Sequence, residues 1–254
     1  MTALFACAGT IVGCVVALWL LSLKLRDVSI ADIWWGPGFA VIAWVGGMVQ
    51  GVASDRLLFV QLLLTAWGLR LGIHLAWRNW GHEEDRRYGA MRSKTKAFWW
   101  VSLFKVFLLQ GAIQLMVAAP IFGMLPSTQP LQALDYIGLS LVVMGVLIEG
   151  VSDFQLARFL GDPLHAGRVM DRGFWGLSRH PNYFGNALMW VGFGLVGLAA
   201  GASPWTVLGP ILMVYLLLRV SGVSMLESTI TDRRPEYRRY KERVSAFIPL
   251  PPRS

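Results

Sequence analysis

The stretch "SRHPNYFGN", residues 178–186, sets Arg179, His180, Asn182 and Tyr183 together at the mouth of a long apolar run. Pro181 suits the first position of a helix, since its missing N–H would be unpaired there anyway, and this predicts a helix N-terminus within the stretch. Such a terminus offers free N–H groups and a partial positive charge, and Arg158, Arg168, Arg172, Arg179 and His180 add formal charge around it. The chemistry is that of an anion pocket. Asn182 carries an amide donor and an amide acceptor, a match for a primary carboxamide, while Tyr183 and Trp190 offer flat surfaces for a ring. Gly185 permits close approach of backbone or ligand. The plainer alternative is an interfacial Arg/Tyr belt with a helix-starting proline.

Ionisable residues inside apolar runs form the second set, because their cost in lipid turns them toward a protein interior or an aqueous cavity. Asp32 lies in "SIADIWWGPGF" beside Trp34 and Trp35; it is the first chemical candidate, with a helix-start carboxylate as the alternative. Arg70, His74 and Arg78 are four apart and share one helix face. Glu149, Ser152 and Asp153 form another polar face.

The elements that position these residues can be read from composition. With 55% hydrophobic and only 15% charged residues, the chain is a membrane protein, all-α and polytopic. Runs long enough to cross a core of roughly 30 Å are read at about 3–23, 31–53, 56–78, 97–125, 132–160, 183–202 and 204–226, which gives seven transmembrane helices. The first is too long for a signal-peptide core and lacks a basic n-region, so it reads as a retained span. Lys and Arg concentrate in the loops at 24–30, 78–96 and 158–182, which places those loops in the cytoplasm, the N-terminus outside and the C-terminus inside. The net charge of +8 has its bland explanation in that bias, and an anionic ligand on the inner face is the sharper one. Nucleic acid is a poor third choice. Cys7 and Cys14 share a helix face and suit packing, and none of the four histidines stands in metal-ligand spacing, so no metal is expected. With no internal repeat or low-complexity linker, residues 1–254 read as one membrane domain.

The run from "SDFQLARFL" through "GRVMDRGFWGLSRHPNYFGN" to "YRRYKERVSAFIPLPP" resembles the C-terminal half of the steroid 5α-reductase family, in particular its bacterial branch, and more distantly the sterol double-bond reductases and isoprenylcysteine carboxyl methyltransferases. The resemblance is specific over roughly residues 145–250. It implies a monomeric seven-helix enzyme of the bacterial inner membrane. The helices of 131–254 would hold NADPH on the cytoplasmic side, and 1–130 would form the cavity for a steroid or other enone lipid. It places Asp153 on the family's cofactor-binding Asp, Arg168 before a "GGLF"-like turn that is "RGFW" here, Asn182 and Tyr183 on an Asn-aromatic pair, and Gly185 and Trp190 on a glycine and a tryptophan beyond it. Arg219 matches an arginine of the last span. Asn186 stands where the family usually has Glu, and "IADIWW" loosely echoes its "QELP"-like pair. Asp32 thereby becomes the candidate proton donor, direct or through His74, with Tyr88 in the following loop as reserve.

The implied reaction delivers hydride from NADPH to the β-carbon of an enone while a donor meets the charge growing on the carbonyl oxygen. Two alternatives stand beside it. One is an S-adenosylmethionine-dependent methyltransferase, echoed by Glu227, Tyr237, Tyr240 and "FIP" but disfavoured by the basic residues around the pocket; the other is a non-enzymatic lipid-binding membrane protein.

Overall fold

The apolar runs do become helices in the computed structural model, which describes residues 1–220 and 236–253. In chain order these are α1 (Thr2–Leu25), α2 (Ile30–Gln50), α3 (Asp55–Asn79), a short α4 (Arg86–Lys94), α5 (Phe98–Val117), α6 (Ala119–Met124), α7 (Ala133–Leu160), α8 (Pro181–Ala199), α9 (Pro204–Val220) and α10 (Tyr237–Arg243). The described residues contain no strand, and a single bridge joins Ser178 to Ser245. Glu227 lies outside the described residues, as does the end of the run expected at 204–226.

Four helices, α1, α3, α5 and α7, are long and apolar enough to cross a membrane. α2 and α8 occupy two more of the expected runs but fall short of that measure, because each carries polar residues and glycines: Asp32 and "GPG" in α2, Asn182, Gly185 and Asn186 in α8. α8 carries four of the candidate site residues, Asn182, Tyr183, Gly185 and Trp190, and α2 carries Asp32.

The chain divides into two compact units. The first comprises Met1–Gln132 with Gly197–Thr206. There α2 and α3 pack backbone to backbone: a Cβ on Gly68 would lie 2.6 Å from the Gly36 carbonyl oxygen, and one on Gly72 would lie 3.1 Å from that of Ile33. Ile33 is the carbonyl that Pro37, lacking an N–H, leaves without its helical donor. Cys7 is buried against α2, its Sγ 3.4 Å from the Ile42 carbonyl oxygen. The chain beyond α6 is tied back by the buried Arg56, which donates to Ser127 Oγ and to the carbonyls of Gln129 and Pro130.

α5 is not uniform. Residues Leu103–Leu108 take a π-helical turn, which inserts a residue into the helical register and rotates the C-terminal half of the helix about its axis. Gln110 and Gln114, four apart, come to lie on one face after it.

The second unit comprises Ala133–Val196 with Val207–Ser254. α7 and α8 cross at glycines in the same manner: a Cβ on Gly185 would lie 2.6 Å from both the Glu149 nitrogen and the Gly145 carbonyl oxygen, and one on Gly138 would lie 2.8 Å from the Gly192 carbonyl oxygen.

Candidate functional site

In the first unit the structure brings Asp32, Arg87, Tyr88 and Gln110 together. The Tyr88 hydroxyl donates to Asp32 Oδ1 at 2.7 Å, Gln110 Nε2 donates to the same oxygen at 3.1 Å, and Arg87 Nη2 donates to Asp32 Oδ2 at 2.6 Å. Gln110 Nε2 also lies 3.4 Å from the Tyr88 oxygen. Arg87 and Gln110 can only donate, so each Asp32 oxygen accepts at least one hydrogen bond, and the Tyr88 hydroxyl shares Oδ1 with Gln110. The reserve candidate Tyr88 is thus held directly on the first candidate, Asp32. His74 is half-buried on α3, its ring 6.4 Å from that of Trp77.

A set of loop contacts carries Tyr88 to Asp32. Asp85 caps α4 by accepting from the Arg87 N–H, and its own N–H donates to Ser29 Oγ at 2.8 Å. Glu84 accepts from the Val28 N–H at 2.9 Å and from Arg92 in a two-bonded pair at 2.7 and 2.8 Å. The loop before α2 and the loop before α4 are thus laced together, and α4 turns Tyr88 inward, where it is buried.

These contacts set the ionisation of the groups. Burial raises the Tyr88 phenol far above its ordinary range and the adjoining Asp32 charge raises it further, so Tyr88 stays a neutral O–H donor. Burial would lower Arg87, but its hydrogen bond to Asp85 and the charges of Asp32 and Asp85 outweigh it and hold the guanidinium charged. For Glu84, burial works upward, and the bonds from Arg92 and from the Val28 N–H overcome it to leave the carboxyl below its ordinary value.

In the second unit, α7 and α8 exchange two carboxylate–carboxamide hydrogen bonds, one turn apart on each helix. Asn182 Nδ2 donates to Asp153 Oδ1 at 3.0 Å, and Asn186 Nδ2 donates to Glu149 Oε2 at 3.1 Å. Glu149, Asp153 and Asn186 are buried, and Asn186 Oδ1 has no hydrogen-bond partner among the described residues. Asn186 on α8 thus faces a carboxylate, Glu149, from α7. The rings of His180 and Tyr183 stack in parallel, 5.6 Å apart.

The 168–180 loop is built from the C-terminal segment. Gly173 takes a left-handed backbone (φ 59), and a Cβ there would lie 2.7 Å from the Gln155 side chain, whose Oε1 accepts from the Phe174 N–H. Trp175 donates to the Ser152 carbonyl. Arg179 is buried, and its Nη1 donates to the carbonyls of Lys241 and Val244 at 2.9 and 2.7 Å while its N–H donates to Ser245. Ser178 Oγ donates to the Phe247 carbonyl, and Tyr240 to that of Trp175 at 2.6 Å.

Several expected roles change accordingly. Arg179 ties the 168–180 loop to the C-terminal segment, its Nη1 donating to the carbonyls of Lys241 and Val244. Gly185 serves a helix crossing, where approach of backbone leaves no room for a ligand. Trp190 is wholly buried, edge-on to Phe193 with ring centroids 5.5 Å apart, and presents no open face. Tyr237 and Tyr240 are buried in the docking of α10. Arg158, Arg168, Arg172 and Arg219 are exposed. Sequence reasoning missed Arg87 and Gln110, and it singled out Glu149 and Asn186 without pairing them; for Gln110 the signal was present, a glutamine pair four apart in an apolar run.

Comparison with known proteins adds a family and one relative. The family described as "Protein of unknown function (DUF1295)" matches residues 18–244. A fission yeast (Schizosaccharomyces pombe) protein described as uncharacterized is 27% identical over 263 aligned residues, covering 91% of this chain and 75% of the relative. No solved structure matches.

Proposed function

We propose, from the premise that the chain belongs to the DUF1295 family, which is related to the steroid 5α-reductase-like membrane proteins, that it is an NADPH-dependent reductase. Its substrate is a carbon–carbon double bond conjugated to a carbonyl in a steroid or similar lipid. The observation that carries this reading is the buried Tyr88 hydroxyl held on Asp32 at 2.7 Å. Negative charge grows on the carbonyl oxygen as the β-carbon is reduced, and a preorganised donor aimed at that oxygen lowers the barrier. Tyr88 is the donor. Its single O–H, held on Asp32 in the free protein, turns to the carbonyl oxygen when the enone binds, while Arg87 and Gln110 keep donating to Asp32 and balance its charge. Because its phenol is pushed far up, Tyr88 works by hydrogen bonding rather than by giving up its proton, and the α-carbon is protonated from water.

The second unit suits a nicotinamide nucleotide. The buried, unpartnered Asn186 Oδ1 accepts what a primary carboxamide donates, and Asn182 and Asp153 stand one turn away with the same chemistry. Exposed Arg158, Arg168 and Arg172 supply charge for phosphates, and a 2′-phosphate gains bidentate Arg contacts that favour NADPH over NADH. The bound nucleotide supplies the hydride. The chain acts as a monomer with seven spans in a bacterial inner membrane, N-terminus outside, with the basic loops and the nucleotide site in the cytoplasm.

Thermal shift of the detergent-solubilised protein with NADPH, NADH and S-adenosylmethionine tests the reading, together with enone-dependent oxidation of NADPH using progesterone. Stabilisation is expected to be largest with NADPH. Stabilisation by S-adenosylmethionine alone would transfer the chain to the methyltransferases, and stabilisation by none of the three would leave a lipid-binding protein.

A further inference from the structure

The short helix α4 has a second face. Its inner side carries Tyr88, and the helices on either side of its connection, α3 and α5, are two of those long and apolar enough to cross a membrane, so the connection lies at a membrane surface. Six cations occupy residues 78–96. Arg87 is paired with Asp32 and Asp85, and Arg92 with Glu84. Arg86, Lys94 and Lys96 form no salt bridge among the described residues, whereas Arg78 donates to Asn79 Oδ1 and its charge acts on Asp85; all four are exposed, and Glu83 is the single exposed carboxylate among them. Around this charge stand exposed indoles from both adjoining helices: Trp77 and Trp80 before α4, Trp99 and Trp100 after it. Indoles settle at the level of lipid headgroups, so the cations are held where phosphates are dense.

We propose that the outer face of α4 and the turn after it dock on anionic phospholipid headgroups of the bilayer in which the chain lies, with Arg86, Lys94 and Lys96 as the contacts. Charge complementarity selects this occupant over zwitterionic lipid, since each cation near an anionic surface gains about 1 kcal/mol, a factor of about five in affinity. The consequence for the site rests on the proposed function: the same nine-residue helix holds Tyr88 on Asp32, so lipid that fixes its outer face also steadies the donor.

Amide hydrogen exchange of residues 82–97 tests the docking without reference to turnover. The full chain is compared in nanodiscs of phosphatidylcholine alone and with a third phosphatidylglycerol. The expected result is at least tenfold slower exchange with the anionic lipid. That difference disappears in the Arg86→Gln/Lys94→Gln/Lys96→Gln variant and at about 1 M salt, where the Debye length is about 3 Å. Equal exchange in the two lipids overturns the proposal, as does a triple variant that still responds to phosphatidylglycerol. Equal protection by inorganic phosphate in phosphatidylcholine nanodiscs would identify a soluble anion instead of lipid and overturn it as well. Absence of reductase activity leaves the outcome of this measurement untouched.

Discussion

Replacing Tyr88 by Phe removes one oxygen and leaves the ring in place. In the folded state the losses are the hydrogen bond to the Asp32 carboxylate, a class worth about 1.5–3 kcal/mol, and the long 3.4 Å bond accepted from Gln110. Asp32 retains Arg87 and Gln110 and its side chain is 22% exposed, so water can take the vacated position and the cost falls at the lower end, about 1.5 kcal/mol. For a chain of this size that is a drop in Tm of about 3–6 °C. In the transition state the same oxygen carries more, because removal of one oxyanion donor typically costs about 10²–10³ in kcat. Tyr88→Phe should therefore keep its folded yield and nucleotide-induced thermal shift while kcat for progesterone reduction in proteoliposomes falls by about two orders of magnitude with KM nearly unchanged, the pattern of an interaction made only in the transition state. Tyr136→Phe, at an exposed tyrosine, is the control. Asp32→Asn should fall as far, and the double variant no further, since the two side chains act as one unit. A Tyr88→Phe protein that turns over within twofold of the parent refutes the assignment, and a double variant whose losses multiply refutes the coupling.

Packing and charge set two more outcomes. Gly185→Ala places a methyl group 2.6 Å from backbone of α7, where no side chain can yield, so the folded yield should drop by more than the usual overpacking cost of about 1–3 kcal/mol implies for a flexible neighbour, and size-exclusion profiles of the solubilised protein will record it. For Glu84 the folded-state carboxyl lies below its unfolded value, so its contribution to stability is present above that ordinary value and is lost as pH falls through the folded one. As pH falls below the ordinary glutamate range the amides of α4 should lose protection, measured in phosphatidylcholine nanodiscs so that lipid charge does not intervene, whereas Glu84→Gln should show the loosened state already at neutral pH.

The parts of this molecule legible in the sequence are those whose cost is local. A carboxylate in an apolar run is expensive wherever it lies, so Asp32, Glu149 and Asp153 declared themselves by hydropathy alone, and Pro181 announced the start of α8 by the bond it cannot make. Pairing escaped. Tyr88 is 56 residues from Asp32 in sequence, and nothing in "DRRYGAMRS" distinguishes a tyrosine that turns inward from one that faces water; only the ties of Glu84 and Asp85 to the loop before α2 decide it. Gln110 reaches the cluster through a π-helical turn that a 3.6-residue period does not anticipate. The partners of Arg179 escaped for a related reason. An arginine before a helix N-terminus has the same local spelling whether it meets a phosphate or a carbonyl, and its partners at Lys241 and Val244 are 62 and 65 residues away. The charge that looked like a ligand pocket is divided by the fold into an anchor for the C-terminal segment and exposed arginines at 158, 168 and 172, so the nucleotide reading now rests on fewer cations and on a buried amide oxygen that sequence could not have shown to lack a partner.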